Sequence, residues 1–109
     1  MADKRVRVLL GKNPHGSDGS VRSMLESRDM EFIECSDGIE TIRKAFLQRP
    51  DLVFLDVDLP RINGYLCSRL LKQDPFFTST PVVHVAPSGS PVDRFWSRIC
   101  RGDHYLTIP

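Results

Sequence analysis

Disulfides, membrane spans and phosphate-cradling loops all lack raw material in this chain of 109 residues. Its three cysteines, Cys35, Cys67 and Cys100, are odd in number and widely spaced, with no CxxC pair and no paired His/Cys cluster. That excludes a disulfide framework and a zinc knuckle and leaves them as reduced filler. No apolar run approaches the roughly 20 residues of a membrane helix, and Met1-Ala2-Asp3-Lys4-Arg5 has no apolar segment behind it. The chain therefore reads as a cytoplasmic protein without a membrane anchor. Charge of one sign is also missing: fifteen Lys and Arg oppose fourteen Asp and Glu, for a net charge of +1, so composition alone implies no nucleic-acid partner. Neither a dinucleotide-binding nor a P-loop glycine pattern is present, and Gly16-Ser17-Asp18-Gly19 is too short to cradle a phosphate.

What is present is alternation, on a scale that allows one domain spanning residues 1–109. Val6 to Leu10 is an apolar run closed by Gly11, suited to a strand buried on both faces. Pro14, Gly16 and Gly19 punctuate a loop with several N-caps. A helix carrying Val21, Met24, Leu25 and Arg28 follows, then a shorter strand, Glu31 to Cys35, and the turn Ser36-Asp37-Gly38. Ile39, Ile42, Phe46 and Leu47 line one face of a second helix, which Pro50 closes.

Asp51 to Leu55 is the strongest strand, and carboxylates begin where its apolar run stops, in Asp56-Val57-Asp58-Leu59-Pro60. Asn63-Gly64 turns into a third helix with Leu66, Leu70 and Leu71. After the loop Pro75 to Thr80, Pro81 to Ala86 forms a fourth strand in which His84 reads as a hydrogen-bonded core residue. Pro91 opens a fourth helix with Val92, Phe95, Trp96, Ile99 and Cys100 on its buried face, Gly102 is its C-cap, and His104 to Ile108 is the last strand. Such alternation specifies a parallel α/β sheet with helices on both faces. A helix should close it. None follows Pro109, which predicts a chain cut short of its last helix or a flank covered by another chain or domain.

In an open α/β sheet the functional crevice lies beyond the carboxyl ends of the strands, where strand order reverses. Asp56 falls at such an end, and a carboxylate there needs solvent, a partner or a metal. The run Asp51-Leu-Val-Phe-Leu-Asp56-Val-Asp-Leu-Pro60-Arg-Ile-Asn-Gly64 resembles the third strand and following loop of response-regulator receiver domains, the phospho-accepting modules of bacterial two-component phosphorelays. Ser36-Asp37-Gly38, Pro81-Val-Val and Gly102-Asp-His-Tyr105-Leu-Thr-Ile-Pro109 extend the resemblance over nearly the whole chain. It implies a flavodoxin-like five-stranded parallel sheet of order 2-1-3-4-5, here lacking the fifth helix, with Asp56 at the phospho-acceptor position and Tyr105 at the aromatic switch.

Most other positions that the resemblance marks are replaced. Gly11 and Lys12 stand where an acidic pair would hold a divalent cation, Ala86 where a hydroxyl residue would bond the phosphoryl group, and Ile108 where a lysine would. Phosphoryl transfer to a carboxylate brings two anions together and depends on cationic stabilisation, so these losses predict a degenerate receiver that binds Mg²⁺ weakly. On this reading the chain signals by binding a histidine kinase or an output domain and is not a turnover enzyme. Lys12 is expected to pair with Asp56.

The alternative is a phosphorylatable receiver in which Asp56 and Asp58, two apart on one strand face, form a substitute metal site. Ser88 or Ser90 would then lend a hydroxyl. Asp56-Val57-Asp58 is also similar to the first motif of haloacid-dehalogenase-like phosphatases, a remote enzyme alternative. Apolar surface left by a missing helix points to a homodimer through the fourth helix and last strand.

Overall fold

A computed structural model describes residues 5–15, 20–26, 29–87 and 89–108. Along it run β1 (Val6–Gly11), α1 (Ser20–Leu25), β2 (Met30–Cys35), α2 (Gly38–Gln48), β3 (Leu52–Asp56), α3 (Gly64–Leu71), a 3-10 turn (Pro75–Thr78), β4 (Val82–Ala86), α4 (Pro91–Ile99) and β5 (His104–Thr107). All neighbouring strands pair in parallel, in the order β2-β1-β3-β4-β5. The sheet and its order are those expected from the sequence. Order reverses between β1 and β3, and Asp56 ends β3 beside that crevice.

Local chemistry sets the helix boundaries where side-chain caps are available. Asp37 accepts from the Glu40 backbone N–H while Glu40 accepts from that of Ser36, a reciprocal cap that starts α2. Asn63 caps α3 through the Leu66 N–H, and Ser90 caps α4 through that of Asp93. Arg49, in the left-handed region at φ 49°, ends α2 just before Pro50.

The central strands divide two cores between their alternating faces. Leu9, Val53, Leu55 and Val82 pack with Ala45, Cys67, Leu71 and Phe77 on one side. Val8, Leu10, Phe54, Val83 and Val85 meet Val21, Leu25 and Leu106 on the other. Each fully buried Leu contributes about 2 kcal/mol of transfer free energy.

The helix faces depart from expectation. Gly38, Thr41 and Ala45 are the inward side of α2, whereas Ile39, Phe46 and Leu47 reach solvent. Cys67, Ser68 and Leu71 are inward on α3, leaving Leu66 and Leu70 outside. The largest reversal is α4, where Val92, Phe95, Trp96 and Ile99, expected to be core, are 46–64% exposed and Ser97 is buried instead. On α2 and α3 small or polar residues face the sheet because these two helices lie close to it. Arg28 of the expected first helix lies outside the described residues.

The reason α4 turns Ser97 inward is His84, fully buried at the centre of β4. Its Nδ1 lies 2.6 Å from Ser97 Oγ and its Nε2 2.8 Å from Ser68 Oγ, so one imidazole ties β4 to both α3 and α4. Ser68 donates to the Cys100 carbonyl at 2.6 Å, which assigns the ring proton to Nε2 and makes Nδ1 the acceptor from Ser97. The edge of Tyr65 packs against the ring at 5.0 Å between centroids. His84 is thus the hydrogen-bonded core residue expected. Gly102 is corrected: the left-handed residue after α4 is Arg101, at φ 64°, and a Cβ on Gly102 would lie 2.5 Å from His84 Nδ1. Gly102 is needed for close approach to the imidazole.

A second polar tie lies near the β4 and β5 starts. Lys72, almost wholly buried, donates to the Phe77 and Thr80 carbonyls and pairs with Asp103 at 2.7 Å. Arg101 donates to the Lys72 carbonyl at 2.9 Å, joining the end of α4 to the end of α3.

Burial lowers the His84 pKa to about 4, against opposing contributions from the Gly64 backbone and Asp103. The unfolded chain takes up a proton as pH falls below its value of 6.5, while the folded protein does not until about 4. Stability contributed by neutral His84 is complete above that window, and about 3 kcal/mol is lost on descending through it. Urea unfolding between pH 7 and 4 should show this loss, and His84→Met should flatten it; an equally steep loss in the variant would assign it to other groups.

Candidate functional site

Chain reversal after β3 builds the site. Asp56 is its last strand residue, and Val57 and Asp58 already form a turn. Gly64, the first residue of α3, allows the chain to fold back over that turn, because a Cβ there would stand 2.3 Å from the Asp56 carbonyl oxygen. The Gly64 N–H donates to the Val57 carbonyl at 3.2 Å. Position and orientation of Asp56 are therefore fixed from both sides of the turn.

Asp56 is half-buried, and its Oδ2 accepts from the backbone N–H of Asn13 at 2.9 Å. The Asn13 side-chain amide reaches the Asp58 carbonyl at 3.0 Å, clamping the loop after β1 to the loop after β3. Burial pushes the Asp56 carboxyl above its ordinary value; the Asn13 N–H pulls it back, Asp58 pushes it further up, and Lys12 lowers it least. No salt bridge joins Lys12 to Asp56, contrary to the expected ion pair. The near oxygen is held by a backbone donor, which fixes the carboxylate without a long cationic side chain.

Gly11, Lys12, Val21, Arg22, Val85 and Ile108 share a cleft with Asp56, along with Leu10, Phe54 and Glu34. Gly11 ends β1, and the Ile108 N–H donates to the carbonyl of buried Ala86 at 2.9 Å, so four sequence-predicted positions, Gly11, Lys12, Ala86 and Ile108, gather around the β1, β3 and β4 ends. Asp58 is exposed and past the strand end, which removes the shared strand face assumed for an Asp56/Asp58 pair. Among the described residues no group of three or more His, Cys, Asp or Glu is arranged to hold a metal ion. Ser90 is spent on the α4 cap, its hydroxyl bonding the Asp93 carboxylate at 2.8 Å, and Ser88 lies outside the described residues. Asp56 closes the third strand of the chain, so the motif similar to a phosphatase first strand is in the wrong element.

Tyr105 stands on β5 paired with His84 on β4. Its ring lies 5.1 Å below the Arg94 guanidinium, and the Tyr65 hydroxyl shares a hydrogen bond with it. Tyr65 also donates to the Asp93 carbonyl at 3.3 Å. The aromatic position expected from sequence is therefore linked to α3 and α4. Asn13, Tyr65 and Ser68 escaped sequence reading. Asn13 holds Asp56 through its backbone N–H, which no side-chain pattern reveals, and Tyr65 and Ser68 find partners distant in sequence.

The raised Asp56 carboxyl means that ionising it costs folding free energy, starting as pH rises past 3.8. Asp56→Asn keeps the acceptor for Asn13 and removes the charge. It should be more stable than the unaltered chain at pH 7 and equal to it near pH 3.5 in denaturant unfolding. Lower stability at pH 7 would require a counter-charge at Asp56.

Comparison with known proteins gives a consistent result. The family model described as "Response regulator receiver domain" matches residues 17–105. Protein PilG of Pseudomonas aeruginosa is 30% identical over 90 residues, covering 83% of this chain and 67% of that protein. Protein PilH of the same organism is 28% identical over 103 residues, covering 94% and 85%. Among solved structures, the chemotaxis response regulator CheY4 of Vibrio cholerae superposes with a TM-score of 0.83 at 22% identity, over 96% of this chain and 88% of that one. A receiver domain of a Pseudomonas aeruginosa sensor histidine kinase, solved with magnesium in its active site cleft, gives 0.84 at 24% identity, over 96% and 86%.

Proposed function

The chain belongs to the response regulator receiver family, and on that premise we propose that it is a degenerate receiver, signalling through bound proteins rather than through a phosphoryl group on Asp56. The observation that carries this reading is the wall around Asp56. Lys12 and Ile108 line its cleft, and Ala86 ends the neighbouring strand β4, hydrogen-bonded to Ile108, where a phospho-accepting site needs carboxylates, a lysine and a hydroxyl. Phosphoryl transfer needs charge neutralised at the moving group. Asp56 receives one backbone N–H and only weak help from Lys12.

A divalent cation does not fit this donor set. A hard cation is held by carboxylate oxygens and waters, and here a lysine ammonium replaces the second carboxylate while Asp58 lies beyond the strand. No step is therefore assigned to a metal. Ala86, with no hydroxyl, has nothing to draw towards a phosphoryl group, so coupling between Asp56 and Tyr105 is absent. The domain performs no turnover reaction. Its partners are signalling proteins, a histidine kinase or an output domain, and the exposed Phe95, Trp96 and Ile99 of α4 beside β5 suit a homodimer contact. Nucleic acid is not a partner at a net charge of +1. No described helix is long and apolar enough to cross a membrane, and three free, buried cysteines suit a cytoplasmic setting.

Intact mass after incubation with Mg²⁺ and a small phosphodonor tests the reading. The chain should stay unmodified, as should Asp56→Asn, while Lys12→Asp, Ala86→Thr and Ile108→Lys together should gain a phosphoryl group. A donor-dependent gain in the unaltered chain, absent from Asp56→Asn, would establish the phosphorylatable alternative.

A further inference from the structure

We propose that the groove between α2 and α3 docks an amphipathic helix bearing acidic residues, supplied by another protein. The two helices pack side by side, with the Cys67 thiol 3.7 Å from the Gly38 carbonyl. Along their outer surface Ile39 and Phe46 come from α2, Leu66 and Leu70 from α3, and Phe76 from the turn beyond. All five are 36% to 47% exposed. Phe46 and Phe76 both pack in T-shaped contact with buried Phe77, at 5.7 and 4.9 Å between centroids, so the two exposed rings at one end of this surface are held by a common core ring. Leu66 and Leu70 are one helical turn apart and Ile39 and Phe46 two turns apart, the spacing that receives apolar side chains from a helix laid alongside.

Charge selects the occupant. The carboxylates here are engaged: Glu40 with Lys44 and the Ser36 N–H, Asp74 with Arg49 and the Phe76 N–H. Arg43 on α2 and Arg69 on α3 are exposed and make no ion pair or hydrogen bond among the described residues. Two free guanidinium groups flanking an apolar groove complement a helix with apolar anchors and Asp or Glu at its margins. A second copy is disfavoured. Its exposed apolar helix, α4, carries Arg94 and Arg98 against a single Asp93, which is hydrogen-bonded to Ser90. An anionic bilayer is disfavoured because these side chains are half sunk between helices rather than projecting, and two cations attract a membrane weakly. This surface is separate from Asp56, so the inference stands whether or not that residue accepts a phosphoryl group.

The probe is a labelled helical peptide with leucines at i, i+3, i+4 and i+7 and flanking glutamates, compared with its lysine counterpart and with anionic phosphatidylserine vesicles. Amide shifts on adding the glutamate peptide should cluster in α2 and α3, with affinity at least about tenfold above the lysine peptide, as two exposed charge pairs allow. Arg43→Glu with Arg69→Glu should reverse that preference. Leu66→Ser with Leu70→Ser should abolish binding, with an unchanged amide spectrum elsewhere showing that the fold persists. Shifts confined to α4, equal binding of both peptides, no binding at millimolar peptide, or a preference for vesicles would each overturn the proposal.

Discussion

A neutral imidazole in the middle of β4 governs the arrangement of one whole side of this protein. His84 is too polar to be packed by apolar side chains alone, since its two ring nitrogens must both be satisfied away from water. Ser68 and Ser97 meet that requirement, and in doing so fix α3 and α4 against the sheet. Because α4 must present a hydroxyl inward, its Val92, Phe95, Trp96 and Ile99 stripe is turned outward. Gly102 follows from the same constraint, having no side chain to collide with the ring. A polar core contact thus determines where the apolar surface of the molecule lies.

The opposite constraint acts at the strand ends. Asp56 stands where a buried strand meets the crevice, partly desolvated and held by one backbone N–H. Burial raises its carboxyl more than the Asn13 N–H and Lys12 lower it. The tyrosines at positions 65 and 105 are joined to α4 through Asp93 and Arg94.

Much of this was legible in sequence because strands β1, β3 and β4 are buried on both faces and so read as short uninterrupted apolar runs between turn signals. Asp56 was found by its place at a strand end, and Gly11, Lys12, Ala86 and Ile108 by the resemblance to receiver domains; the fold gathers them around the strand ends. Helix faces were read less well. Hydrophobic spacing gathered Ile39, Phe46 and Leu47 on one face of α2 and assigned the α4 stripe to the core, but Gly38, Thr41 and Ala45 are the inward residues of α2, Cys67 and Ser68 are inward on α3, and Ser97 is inward on α4. The Lys12 ion pair failed for a related reason: a charge pattern cannot show that a neighbouring backbone N–H already occupies the carboxylate.

By itself, then, the sequence determined the element order, the parallel sheet and the residue type at each strand end, since these depend on local periodicity and on which runs are apolar enough to be buried. Only the tertiary structure decided what each side chain meets. His84 with Ser68 and Ser97, Lys72 with Asp103, and Asn13 with Asp56 are contacts between residues far apart in the chain, and their energies depend on distances of a few ångströms that no local pattern encodes.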